Sequence, residues 1–212
     1  MHNRYIKYFL FLLLTTDLFL SAIFLKNGHT DTEKIFSLPV ISKTAGTPKY
    51  IALTFDDGPS RKYTPILLDG LKERGVHATF FLMGKNIEGK EDIVKRMSEE
   101  GHLIGNHSYE HIQLTKAGAK AVCEAVEHTQ EQIEAITGKR PEYIRPPYGD
   151  WNEELEEEIG MTPVLWSLDS LDWKLKDGKI IHQVLKDVKD GDIILLHDIF
   201  PSSVEAALEL ID

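Results

Sequence analysis

Residues 50–59 read YIALTFDDGP. A mostly apolar run of six residues ends abruptly in two aspartates, a glycine and a proline. That is the pattern of a short buried strand stopped by a turn. The pattern recurs downstream. Residues 78–83 (ATFFLM), 102–105, 143–145, 162–168 (TPVLWSL) and 192–197 (DIILLH) read as five more strands. Helical stretches separate them. The stretch 64–74 opens on Thr64-Pro65, repeats Leu67 and Leu71, and closes at Gly75. The stretch 92–100 closes at Gly101, and 117–137 aligns Val122, Val126, Ile133 and Ile136 on one stripe before Gly138. Asn152 caps 153–159, 179–188 follows, and Ser202 or Ser203 caps a last helix.

Apolar runs of four to six residues alternating with helices predict an α/β protein with a mostly parallel sheet. Such a sheet is either open and doubly wound or curled into a (β/α) barrel. Periodicity does not separate the two. The chemically loaded residues favour the barrel, because they sit just after strands, where (β/α) barrels build their sites from several loops.

The chain has 212 residues with 24 Lys+Arg, 34 Asp+Glu, nine His and one Cys. That length fits one domain plus an extension. An apolar share of 42 % supports a packed core and excludes wholesale disorder. One cysteine excludes an internal disulfide framework; Cys123 reads as a small core residue on a helix. The net charge of −10 argues against nucleic acid as a partner. The charge is uneven: residues 1–49 carry a net +3 and the remainder −13.

The basic end has its own pattern. His2, Arg4 and Lys7 precede an apolar run over 8–25, broken only by Thr15, Thr16, Asp17 and Ser21. As a helix the run spans roughly 27 Å, near the bilayer core thickness of about 30 Å. The leading basic residues would stay cytoplasmic and leave the rest of the chain outside. Residues 1–25 therefore read as a signal anchor at the cell membrane, or as a signal peptide with a poor cleavage pattern. Residues 26–48, punctuated by Gly28, Pro39, Gly46 and Pro48, read as a stalk. Residues 49–212 remain for the working domain.

Five constellations follow the predicted strands. Asp56 and Asp57 are adjacent; on a strand they would point to opposite sides, so one could bind a cation while the other takes a proton. A plain turn leading into Gly58-Pro59 is the alternative. His107-Ser108-Tyr109-Glu110-His111 spaces two imidazoles by four, one helical turn, which suits zinc if a carboxylate joins them from elsewhere. Arg145-Pro146-Pro147-Tyr148-Gly149 is a rigid loop. Prolines lack N–H groups, so the N–H of Tyr148 is the first free donor after Arg145 and could serve an oxyanion. Asp169-Ser170-Leu171-Asp172-Trp173 and Leu195-Leu196-His197-Asp198 complete the set. A histidine ending an apolar strand is either a satisfied core residue or a general acid.

In this order TFDDGP, HSYEH, RPPYG, DSLDW and LLHD resemble the motifs of the polysaccharide deacetylases, carbohydrate esterase family four or the NodB homology domain. The resemblance runs from about Lys49 to the last residue. It implies a distorted (β/α) barrel holding one divalent metal ion, Zn²⁺ or alternatively Co²⁺. By motif match Asp57, His107 and His111 would be the ligands. Asp56 would be the general base, oriented by Arg145, and His197 the general acid, paired with Asp172. The Tyr148 N–H would stabilise the oxyanion, and Trp173 and Leu195 would line a pocket for the acetyl methyl. The implied reaction is removal of N-acetyl groups from an extracellular polysaccharide, with peptidoglycan N-acetylglucosamine as the expected partner. Chitin oligomers, an exopolysaccharide and acetylated xylan use the same set. A glycan-binding relative without activity is the further alternative. The family continues past its last helix into one more strand, so the barrel is expected to lack its closing unit: either it stands open beside its first strand, or the sequence is a truncated product.

Overall fold

The computed structural model describes residues 49–175 and 177–212. The predicted anchor and stalk lie outside the described residues. Among those described, no helix is long and apolar enough to cross a membrane.

The predicted strands form with small shifts at their ends. They are β1 (Ala52–Asp56), β2 (Thr79–Leu82), β3 (Leu103–Asn106), β4 (Tyr143–Ile144), β5 (Thr162–Pro163), β6 (Leu168–Asp169) and β7 (Ile193–His197). The helices are α1 (Thr64–Glu73), α2 (Gly84–Ile87), α3 (Glu91–Glu99), α4 (Ala119–Thr137), α5 (Glu153–Ile159), α6 (Asp172–Leu175), α7 (Gly178–Val184) and α8 (Pro201–Ile211). Local signals explain several boundaries. Pro65 sits in the first turn of α1, where its missing N–H costs nothing. The Asn152 carboxamide oxygen accepts the Leu155 N–H at 2.9 Å and starts α5. Phe200, not Ser202 or Ser203, holds the cap position of α8, and Pro201 fixes its first turn.

All pairings are parallel, in the order β5-β4-β3-β2-β1-β7-β6. This order decides between the two geometries. The edge strands β5 and β6 are joined by only four residues, 164–167. Five residue steps reach about 17 Å at most. The edges of a flat seven-stranded sheet would stand about 29 Å apart at the usual strand spacing. The sheet must therefore curl, and the result is an incompletely closed (β/α) barrel.

Two expectations are corrected here. The run 162–168 is not one strand but two, because Val164–Ser167 carries the chain from one edge of the curled sheet to the other. The first strand is not an open edge. β1 pairs with β2 on one side and with β7 along its whole length on the other. Among the described residues, the ladder is interrupted between β5 and β6 instead.

Alternation along the strands sorts side chains into two populations. Leu53 and Phe55 of β1, Phe80 and Leu82 of β2, and Ile194 and Leu196 of β7 face outward. They pack against Leu67, Leu68 and Leu71 of α1, Ile93, Val94 and Met97 of α3, and Val204 and Ala207 of α8. Each such buried side chain contributes roughly 1.5–3 kcal/mol. Facing inward, Phe81, Val164 and Ile193 cluster with Ala52 and Tyr143. Above that floor the inward positions turn polar. Thr54 is in register with Leu195 and Asp56 with His197. The change from apolar to polar along one face is what places the chemistry at the C-terminal mouth. Cys123 is not a core residue; it lies exposed on α4.

Candidate active site

Five strand ends deliver the site. Asp56 is the last residue of β1, and Asp57 leaves the strand with a left-handed backbone, φ 68°. That turn ends the alternation expected of the pair. The two carboxylates do not point apart: Asp56 Oδ2 lies 3.8 Å and Asp57 Oδ1 3.5 Å from His107 Nε2.

His107 and His111 are not on a helical turn. Residues 107–111 form a loop after β3, with Ser108 at φ 59° and His111 at φ 57°. The loop still stacks the imidazoles edge to face, centroids 4.9 Å apart. The His107 Nδ1–H donates to the Arg145 carbonyl at 2.6 Å, which fixes the tautomer and leaves Nε2 as the lone-pair nitrogen. Burial, the largest influence, holds the His107 pKa down to about 3 and keeps the ring neutral.

One oxygen or nitrogen from each of Asp57, His107 and His111 falls within 4.8 Å of the others. His111 Nε2 is 3.8 Å from Asp57 Oδ1. These separations exceed hydrogen bonds. They approach the spacing of about 3.4 Å between donors held 2.0–2.1 Å from a tetrahedral zinc. Asp57 Oδ1 is buried without a hydrogen-bond partner among the described residues. A buried orphan oxygen facing two imidazole nitrogens is a costly arrangement unless a cation completes it. The donor set therefore fits a divalent ion, with two nitrogens and one oxygen from the chain.

Asp56 is held from behind. Arg145, fully buried after β4, donates from Nη1 to Asp56 Oδ1 at 2.9 Å and to Thr54 Oγ1 at 2.6 Å. Its Nε donates to the Val164 carbonyl at 3.0 Å, and its guanidinium lies over the Phe81 ring at 4.3 Å. Burial pushes the Asp56 pKa above the ordinary carboxylate value, and the Arg145 charge opposes it. A carboxylate with a raised proton affinity, oriented by a guanidinium, is placed to act as a proton acceptor.

His197 ends β7 across from Asp56. Its Nε2 is 3.9 Å from Asp57 Oδ2, and its Nδ1–H donates to Asp172 Oδ1 at 2.7 Å. Burial alone would lower its pKa. The hydrogen bond and charge of Asp172, joined by Asp56 and Asp57, outweigh burial and push it up to about 9. His197 is thus a protonated imidazole at neutral pH, opposite a carboxylate.

Tyr148 lies in a 3₁₀ turn over Pro147–Gly149 with φ 62°. Its side chain is 66 % exposed, and its ring meets His111 edge to face at 4.5 Å. Trp173 follows Asp172 in α6 and is 50 % exposed; Leu195 is buried two residues before His197 on the same face. The mouth therefore brings together all of the expected polar residues, while Leu195 is buried below His197 and Trp173 is exposed beside Asp172. Three other described histidines stay outside it. His102 Nδ1 accepts the Ala78 N–H, His128 stacks on Tyr109, and His182 contacts Glu209. Thr54 and Phe81, which grip Arg145, had no role in the motif reading. Thr54 carried a usable signal, since it is two residues before Asp56 and so shares its face.

Comparison with known proteins agrees with this geometry. The family model described as polysaccharide deacetylase matches residues 43–164. The peptidoglycan-N-acetylmuramic acid deacetylase PdaC of Bacillus subtilis is 41 % identical over 179 residues, 84 % of this chain and 38 % of that protein. The peptidoglycan-N-acetylglucosamine deacetylase PgdA of Listeria monocytogenes is 45 % identical over 163 residues, 76 % of this chain and 35 % of that protein. The solved structure of PdaC superposes with a TM-score of 0.75 at 43 % identity, covering 77 % of this chain and 81 % of that one. The chain spans little more than a third of the length of these two curated relatives. Motif order, curled parallel barrel and matching family model together show that this chain belongs to the polysaccharide deacetylase family.

Proposed function

We propose that this chain is a metal-dependent deacetylase that hydrolyses the N-acetyl groups of peptidoglycan, acting on N-acetylglucosamine. The observation that carries the reading is that a buried carboxylate, Asp56, and an imidazole of raised pKa, His197, each lie within 4 Å of the Asp57–His107–His111 donor set. Amide hydrolysis needs a base on the water side and an acid on the amine side, and the mouth offers both.

Asp57, His107 and His111 would hold the ion, Zn²⁺ or Co²⁺. A divalent ion there supplies Lewis acidity, lowering the pKa of bound water toward 7 and polarising the acetyl carbonyl. Asp56 takes the proton from the attacking water, and Arg145 keeps that carboxylate oriented. The backbone N–H of Tyr148 donates to the developing oxyanion, which gains most in a site that excludes water. His197 gives its proton to the departing nitrogen as the C–N bond breaks, so acetate and a free amino sugar leave. Leu195 and Trp173 bound the space for the acetyl methyl.

The glycan follows from the relatives, which are named for peptidoglycan deacetylation. They differ in the sugar, so N-acetylmuramic acid is the second reading. The apolar run over 8–25 with basic residues before it supports a membrane tether with the barrel outside the cell. Zn²⁺-loaded protein should release acetate from muropeptides, with one ketene mass lost per acetyl from the glucosamine fragment. Loss from the muramic fragment would transfer the assignment to the other sugar. No loss from either would defeat the reading.

A further inference from the structure

The connection between the two edge strands has a structural role in the site. Residues 164–166 run past the buried face of Arg145, and two of its donors end there. Nε donates to the Val164 carbonyl at 3.0 Å, and Nη2 points at the Leu165 carbonyl at 3.4 Å. The next residue is Trp166, whose ring centroid lies 5.9 Å from the guanidinium carbon, while Phe81 stacks on that carbon at 4.3 Å. The same indole meets a second element. A Cβ placed on Gly149 would stand 2.8 Å from Trp166 Cη2 and 3.3 Å from Cζ3. Gly149 and Tyr148 are consecutive left-handed residues, φ 67° and 62°. Left-handed backbone is costly for a tyrosine and persists only where the surroundings leave no alternative. Glycine at 149 lets the indole close against the turn and remove that alternative.

The geometry points to Trp166 as a positioning residue that locks Arg145 and the Tyr148–Gly149 turn into one arrangement, so that the Asp56 carboxylate and the Tyr148 N–H keep a fixed relation. This rests on the deacetylase reading for its consequence, but not for its geometry. The proposed metal ligands come from the loops after β1 and β3 and meet this arrangement only through the Arg145 carbonyl and the Tyr148 ring, so metal binding responds to residue 166 less than catalysis does.

Trp166→Leu and Trp166→Phe in the full chain test this. For Trp166→Leu, kcat falls about 10–100-fold, short of the 10²–10³ lost when an oxyanion donor is removed outright. KM stays within about twofold and Zn²⁺ affinity falls less than kcat, because no residue proposed to hold substrate or metal is itself replaced. Trp166→Phe restores most of kcat. Independently of activity, amide exchange at Gly149, whose N–H donates to the Pro146 carbonyl at 3.0 Å, accelerates about tenfold in Trp166→Leu, as expected for local opening. Amides of β1 and β7 keep their protection. Unchanged kcat and unchanged Gly149 exchange would overturn the proposal. So would uniformly faster exchange across the barrel, with activity lost in step with the folded fraction. If the unmutated chain released no acetate, the deacetylase reading would fail, and Gly149 exchange would still decide whether Trp166 holds the turn.

Discussion

Asp172 grips His197 twice. One carboxylate oxygen accepts the His197 backbone N–H at 2.7 Å and the other accepts Nδ1–H at 2.7 Å. Ring orientation and strand end are fixed by one buried side chain. The raised pKa of His197 follows from that grip.

The alkaline limb of the pH–rate profile tests it. Protonated His197 is required in the proposed reaction, so activity should fall as pH passes about 9. In Asp172→Asn the hydrogen-bonded charge is gone while burial still lowers the pKa, and the limb moves to lower pH. The same linkage acts on stability. The folded value lies above the unfolded 6.5, so the contribution is complete below pH 6.5 and lost as pH rises to about 9. A limb unmoved in Asp172→Asn would remove His197 from the acid role.

Arg145→Met should destabilise the fold by about 3–5 kcal/mol, because it strands the buried Asp56 carboxylate. Chemical denaturation measures this. Asp56→Asn removes the proton acceptor and should lower kcat by about 10²–10⁴. Bound Zn²⁺ is retained in that variant, since Asp57, His107 and His111 are intact; metal analysis of the purified variant checks that part.

Metal removal should lower the melting temperature as well as activity. An ion bound only by the folded state, at a hundred times its Kd, adds about 2.7 kcal/mol. His111→Ala should lose that increment, so that Zn²⁺ no longer shifts its melting curve. An equal shift in both proteins would place the ion elsewhere.

Gly58→Ala probes the packing under the Asp57 turn. A Cβ there would lie 2.6 Å from Asp198 Oδ2 and 2.8 Å from its Cγ. Asp198 is fully buried and bonded to the Thr64 hydroxyl, so it has little room to give. The substitution should cost about 1–3 kcal/mol, as overpacking does, and weaken Zn²⁺ binding by moving Asp57.

Much of the site was legible because its polar residues interrupt apolar strands at fixed places. Asp56, Arg145 and His197 stand out wherever a buried run ends in charge. What escaped depends on the third dimension. The run TPVLWSL cannot reveal that it bridges two sheet edges, since the split follows from the curl of the whole barrel. The His107–His111 spacing suggested a helix; Ser108 and His111 instead take left-handed conformations that the loop's contacts impose. Cys123 was read inward from its apolar character, yet the α4 stripe of Val122, Val126 and Ile133 turns position 123 outward. Trp166 looked like strand filling because its two neighbours, Arg145 and Gly149, are distant in sequence.

The most direct measurement is mass analysis of muropeptides incubated with the full chain, purified in detergent and loaded with Zn²⁺, beside Asp56→Asn. Loss of acetyl from the glucosamine fragment with the unmutated chain, absent with Asp56→Asn and after chelation, is the expected result. Intact acetyl groups with the metal-loaded chain, or equal loss in Asp56→Asn, would contradict a metal-dependent deacetylase built on this site.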